Sequence, residues 1–292
     1  MEQNFLTTIL LPASLFIIML GLGLSLQLED FRRIIKFPKA IFLGITNQMI
    51  LLPLIGFGIA TILNLEPELA VGIMILAACP GGVTSNLISH LSNGDTALSV
   101  TLTAISSVVS IITIPLIVNF GLAQFMSQGQ EIHLPVIKTI VQIMVITIVP
   151  IFMGMLVRSK LPNIAFKLEK PVKIASAAIL FVIIIGIIWK ERERMPGYFE
   201  EVGIAIALLN ITTMLIGFYS AKISKLSLPQ NITIALESGL QNGTLGIVIA
   251  ISILLNAEMS IPSAVYGLFM FATGGFMIWR FGGNKKAETG QN

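Results

Sequence analysis

Nine apolar runs, eight of them without a single charge, follow one another along this chain with only short polar connections between them. They fall at about 5–27, 40–63, 69–91, 96–124, 139–157, 174–189, 202–221, 229–256 and 261–279. Most reach the ~20 residues that a helix needs to cross a bilayer. A peptide in hydrocarbon must satisfy its own backbone, so runs of this kind fold as helices and not as open sheet. The expected class is an all-α polytopic membrane protein, one transporter-sized domain over 1–292 with about nine transmembrane helices in the lipid bilayer. With 11% charged residues and a mean hydropathy of +0.91, little chain is left for a soluble domain.

The basic residues orient the spans. One set of connections holds Arg32, Arg33, Lys36, Lys39, Arg158, Lys160, Lys167, Lys170, Lys173, Lys222, Lys225, Arg280, Lys285 and Lys286, which is 14 of the 18 Lys and Arg. On the other side lie Lys138, Lys190, Arg192 and Arg194, the last three among Glu191, Glu193, Glu200 and Glu201. The positive-inside rule makes the 14-residue side cytoplasmic. The reading is a multi-pass inner (plasma) membrane protein with its N-terminus outside and a cytoplasmic tail at 282–292. Met1-Glu-Gln-Asn lacks the positive region of a signal peptide, so the first run reads as an uncleaved span. The net charge of +3 forms no basic stripe, and no nucleic acid partner is expected. Cys79 is alone, and with His90 and His133 it makes no metal-ligand set. Either histidine suits a pH sensor, yet both read first as solvated residues.

The eighth run carries the exception. Glu237 is the only acidic residue inside any of the runs, and it begins Glu237-Ser-Gly-Leu-Gln-Asn-Gly. A carboxylate near hydrocarbon costs several kcal/mol unless cations or donors compensate it. Gly239 and Gly243 weaken the helix there and free carbonyls to act as ligands. The third run has its own interruption, Cys79-Pro80-Gly81-Gly82, followed by Ser85 and Asn86. Proline removes a donor and clashes with the preceding turn, and the glycines remove helical preference. The two interrupted segments lie five spans apart and so cross in opposite senses. That pattern points to an inverted-repeat transporter with its site near the midplane. The first repeat is expected over about 5–125, one helix short, and the second over about 134–281.

Other polar residues sit in the runs. Ser99 and Thr103 share a helix face and suit a hard cation, although such hydroxyls also bond the carbonyl a turn back. Gln48 is either packing glue or a cation ligand. Pro115 and Pro150 are expected to kink their spans. An enzyme would need a second buried acid, a Ser–His or Ser–Lys arrangement or a metal, and the runs offer none, so no catalytic residue is assigned. One alternative stays open: a proton-coupled organic anion carrier with Glu237 as the protonation site.

Three motifs together, Cys-Pro-Gly-Gly-x-x-Ser-Asn, Asn-Gly-Asp-x-Ala-Leu-Ser-Val-x-x-Thr and Glu-x-Gly-x-Gln-Asn, make the chain resemble the bile acid:sodium symporter family, as a bacterial member. The resemblance covers essentially the whole chain. It implies a panel domain and a core domain, with two discontinuous helices crossing in the core. It implies Na⁺-coupled symport of an organic anion, a bile acid-like compound or a small carboxylate such as pantoate or a keto acid. Na⁺ is then the coupling ion, with no other metal or cofactor, and the protein is expected to work as a monomer. Carried over by position, sodium site 1 comprises Ser85, Asn86, Ser99, Thr103 and Glu237. Site 2 comprises Gln48, Glu237 and Gln241 with backbone at Ser238 and Leu240, and the anion lies near Thr84, Asn242 and Gly243. Two departures are visible. Many bacterial members have ten helices where this chain gives nine, and Val83 stands where a small hydroxyl residue often sits.

Overall fold

The architecture comes from a computed structural model, which describes residues 11–126, 134–190, 192 and 195–283. The start of the first run, His133 and most of the tail, including Lys285 and Lys286, lie outside the described residues, as do Glu191, Glu193 and Arg194. Every described element is helical, in keeping with the rule that lipid tolerates only internally satisfied backbone. In chain order they are α1 Leu11–Ser25, α2 Leu28–Lys36, α3 Pro38–Thr46, α4 Leu52–Ile62, α5 Pro67–Ala78, α6 Val83–Leu91 and α7 Thr96–Phe125. Then come α8 Val136–Lys160, α9 Pro162–Lys190, α10 Met195–Ile223, α11 Leu228–Gly239, α12 Gly243–Val248 and α13 Ile261–Phe281. Among the described residues, five helices are long and apolar enough to cross a membrane: Pro38–Ile62, Thr96–Phe125, Val136–Lys160, Glu200–Ile223 and Glu258–Phe281.

α3 and α4 form one continuous helix through a π turn at Asn47–Leu51. Its cause lies in the sequence. Pro53 lacks an N–H and cannot close the ladder onto Met49, and the strain is relieved when Leu52 N donates five residues back to Asn47 O. The π turn rotates Gln48 and Asn47 into the interior, where both are buried. Pro115 and Pro150 sit inside α7 and α8, which run unbroken through them.

Two helices do break, at the places the composition marks. α5 ends at Ala78 and α6 begins at Val83, with Gly82 extended as the N-cap. α11 ends at Gly239 and α12 begins at Gly243, with Asn242 as the N-cap. The intervening peptides run antiparallel to each other. Among the described residues the one strand-like pairing is the bridge between Gly81 and Gln241, and Asn242 N donates to Pro80 O at 2.9 Å. Two freed backbones thus satisfy one another, as buried peptide groups must.

The helices around this crossing divide by contact. α1 packs against α8 and α9, while α10 packs against α11, α13 and α4, and α5 against α7 and α4. One apolar cluster joins α1 and α8 to one flank of α5, α7 and α12; a second lies between α4, α5, α10, α11 and α13. The broken helices therefore sit inside the bundle, flanked on both sides.

Candidate functional site

Glu237 lies on the last turn of α11 and is only 4% exposed. The crossing delivers three hydroxyls to it. Ser85 on the first turn of α6 donates to Oε1 at 2.7 Å, Ser99 on α7 to Oε1 at 2.6 Å, and Thr103, one turn further along α7, to Oε2 at 2.8 Å. Asn86 completes the group, its Oδ1 lying 2.8 Å from Ser99 Oγ and 3.1 Å from Thr103 Oγ1. All five side chains expected for the first site are thus in one buried cluster.

The cluster is short of protons. Ser85 Oγ also lies 2.8 Å from Gly82 O, so three hydroxyl hydrogens serve six close contacts to four oxygens: Gly82 O, Asn86 Oδ1 and the two of Glu237. Each hydroxyl has one hydrogen to give. With the amide so placed, at most three of the six contacts can be hydrogen bonds at once, around a buried carboxylate. The Asn86 amide does not repair this: its Nδ2 is buried and without a partner. Turned about, the amide would satisfy the two α7 hydroxyls and leave its own oxygen unpaired. Either orientation leaves one atom of the amide buried without a partner and at least one oxygen contact, that of Ser85 with its two acceptors, without a hydrogen. Gly81 keeps the space open, since a Cβ there would come 2.6 Å from Glu237 Oε2.

The second expected group is only partly assembled. Gln48 Nε2 donates to Gln241 Oε1 at 2.6 Å and to Cys79 O at 2.8 Å, and Gln241 Nε2 donates to Ser238 O at 2.9 Å. Gln48, Gln241 and the Ser238 carbonyl therefore meet. The hydrogen bonds of the Glu237 carboxylate go to the first group, and Leu240 is the extended residue of the break, its N bonded to Leu236 O. Of the residues expected near the anion, Thr84 is half-buried and Asn242 caps α12 through Leu245 N, at 3.1 Å. Asn242 Nδ2 is buried and unpaired. A side chain on Gly243 would meet Ser263 O at 3.1 Å.

A pair of residues overlooked in the sequence supports the second break. Asn210 on α10 donates from Nδ2 to Gly239 O at 2.6 Å, and Tyr266 on α13 donates to the same oxygen at 2.7 Å. This matches Gln48 on Cys79 O: in each break the carbonyl two residues before the bridged position, Gly81 or Gln241, receives a side-chain amide from the helix before the broken one. Both residues are wholly buried. The available signal was Asn210, the one amide in a run whose other polar side chains are hydroxyls.

A bundle of apolar helices, broken twice at a buried carboxylate ringed by hard oxygens, defines a polytopic membrane protein of the ion-coupled transporter kind. A family model described as the Sodium Bile acid symporter family matches residues 12–196, and the chain belongs to that family of sodium-dependent transporters. It is 29% identical to the sodium-dependent transporter YocS of Bacillus subtilis (strain 168) over 261 residues, 89% of this chain and 79% of that one. It is 30% identical to the probable chloroplastic sodium/metabolite cotransporter BASS1 of Arabidopsis thaliana over 290 residues, 98% of this chain and 70% of that one. It is also 29% identical to the ileal sodium/bile acid cotransporter of Oryctolagus cuniculus over 250 residues, covering 82% and 70%.

Proposed function

We propose that this protein is a Na⁺-coupled symporter of a small organic anion, working by alternating access with Glu237 as the charge its Na⁺ neutralises. The observation that carries the reading is the proton deficit at Glu237. A monovalent cation placed among Ser85, Asn86, Ser99, Thr103 and Glu237 supplies the missing positive charge, and hydroxyl, amide and carboxylate oxygens are the ligands that hard cations take. A second Na⁺ at Gln48, Gln241, Glu237 and the Ser238 and Leu240 carbonyls requires the Gln48–Gln241 amide pair to open. There the Gln48 and Gln241 amides, which bond each other, turn their oxygens to the ion.

The nine apolar runs are read as nine crossings forming two inverted repeats, over about 5–125 and 134–281. The matching breaks, the Gly81–Gln241 bridge between them and the paired amides of Gln48 and Asn210 support an approximate two-fold relation. α1, α8 and α9 then form the panel and the remaining helices the core. Asn242 and Gly243, at the start of α12, face the anion beside Thr84. The buried unpaired Asn242 Nδ2 is a donor of the right sign for a carboxylate. The protein works as a monomer in the plasma membrane, with its basic connections in the cytoplasm.

Two Na⁺ with one monovalent anion carry one net charge inward. A tenfold Na⁺ gradient contributes about 1.4 kcal/mol per ion and a potential of about 100 mV roughly 2.3 kcal/mol. The total of about 5 kcal/mol sustains an anion gradient of between three and four decades. A thermal-shift screen of bile salts and small carboxylates, with and without Na⁺, tests both halves of the reading. Stabilisation by an anion only when Na⁺ is present is the expected result. Stabilisation that ignores Na⁺ and follows pH refutes sodium coupling.

A further inference from the structure

The motif Asn93-Gly94-Asp95 plays no part in the Glu237 cluster, yet it closes the end of the bundle beneath it. α6 runs from that cluster to this loop, and α11 starts beside the loop and runs back to the cluster. On α6, Ser85, Ser89 and Ser92 stand at i, i+4 and i+7, and on α11 Thr233 stands four residues before Glu237, so each series lies along one helix face. One turn below the carboxylate the two faces meet again. Ser89 Oγ lies 2.9 Å from Thr233 Oγ1, which lies 3.2 Å from Asp95 O. Ser89 and Thr233 are 0% exposed, and Ser92 Oγ, one turn further, is buried with no hydrogen-bond partner.

Gly94 is what lets the loop pack directly onto these oxygens. A Cβ on it would stand 2.5 Å from Ser89 Oγ, 2.7 Å from Thr233 Oγ1 and 3.0 Å from Ser89 O. Three oxygens therefore converge on the bare side of one glycine. The loop is pinned in that position: Gly94 N donates to Ser89 O at 2.8 Å, Asp95 N to Pro229 O at 3.2 Å, and Asn93 Nδ2 to Phe281 O at 2.7 Å. Asn93, Gly94 and Asp95 are half-buried, so this layer lies between the sealed carboxylate and water.

We propose that Ser89, Thr233 and the Asp95 carbonyl form a relay site for Na⁺ passing between the Glu237 cluster and the membrane face that carries loop 92–95. The proposal rests on the sodium-coupled reading above. An ion leaving a buried carboxylate needs hard oxygens at the next step, because bare hydrocarbon costs several kcal/mol. Hydroxyls and a carbonyl with no carboxylate among them hold a cation weakly enough to pass it on. Ser92 Oγ, with its hydrogen-bonding capacity unused, stands at the next turn, and the half-buried Asp95 lies at the opening.

The test uses the full chain in oriented proteoliposomes, with Na⁺ varied on each face separately. Thr233→Val keeps the side-chain shape and removes the hydroxyl. It is expected to raise the half-saturating Na⁺ on the loop 92–95 face about tenfold, as the loss of one neutral hydroxyl ligand worth less than a contact to the carboxylate, and to leave the opposite face unchanged. Thr233→Ser restores the wild-type value. Gly94→Ala, whose methyl falls on Ser89 Oγ and Thr233 Oγ1, shows the same one-sided shift and serves if Thr233→Val does not fold. Na⁺-dependent thermal stabilisation in detergent stays at the wild-type midpoint in all three. Unchanged constants on both faces, or equal shifts on both, overturn the relay and leave the Glu237 reading standing. Absence of Na⁺ stabilisation in the wild type overturns both.

Discussion

Gly81→Ala is the sharpest probe of the Glu237 cluster, because it adds one methyl group at a known place and removes no polar atom. The new Cβ would lie 2.6 Å from Glu237 Oε2, 3.4 Å from Ser85 Oγ and 3.5 Å from Glu237 Cδ. Ordinary carbon contacts begin at about 3.5 Å, so the carboxylate must retreat by roughly 1 Å. It then cannot keep all of its bonds to Ser85, Ser99 and Thr103, which span 2.6–2.8 Å. A hydrogen bond to a charged group is worth about 1.5–3 kcal/mol, and loss of one ligand-sized interaction of about 2 kcal/mol corresponds to roughly 30-fold in affinity. The Na⁺ midpoint, read both as thermal stabilisation in detergent and as Na⁺ activation of uptake, should rise by about that factor. Gly82→Ala is the neighbouring control: its Cβ meets nothing closer than 3.9 Å, so its Na⁺ midpoint should stay near that of the wild type. If Gly81→Ala binds Na⁺ as the wild type does, or if Gly82→Ala is equally impaired, the cation is not held where the hydroxyls meet Glu237.

Other outcomes follow from the same geometry. Glu237→Gln should preserve the helical content and abolish Na⁺-dependent uptake; transport that keeps its Na⁺ dependence would remove Glu237 from the coupling site. Ser99→Ala combined with Thr103→Ala takes two of the three hydroxyls from the carboxylate and should raise the Na⁺ needed for half-activation by at least tenfold, at about 1.4 kcal/mol per decade. A normal Na⁺ curve in the pair would rule both out as ligands. Asn210→Ala should lower the melting temperature more than Tyr266→Phe: each forfeits its own bond to Gly239 O and the bond the two side chains share, at about 1 kcal/mol apiece, and the alanine also leaves a cavity where the buried amide stood. The reverse order of melting temperatures would show that Tyr266 and not Asn210 is the main support of that carbonyl.

Local chemistry settled much of this protein before any coordinates. Uncharged runs of bilayer length leave the backbone no choice but the helix, and helices or helix pairs stand where those runs lie. Cys79-Pro80-Gly81-Gly82 and Gly239 to Gly243 break their helices because proline lacks a donor and glycine lacks helical preference, and both effects act within a few residues. Glu237 stood out because an uncompensated carboxylate has no place in an apolar run. Distance in sequence hid the rest. That Ser99 reaches Glu237, 138 residues away, depends on how α7 packs against two broken helices. The pairing of Gly81 with Gln241 exists because two unwound peptides in one interior must satisfy each other. The π turn at Asn47–Leu51 follows from Pro53, but that it aims Gln48 at Gln241 is decided by the position of α11. Asn210, Tyr266, Ser89 and Thr233 are unremarkable polar residues in sequence, because a lone amide or hydroxyl on a helix has the same local energetics whatever lies across from it. The sequence determined which segments become apolar helices and where they fail as helices. Only the tertiary structure decided which oxygens those failures bring together around one carboxylate.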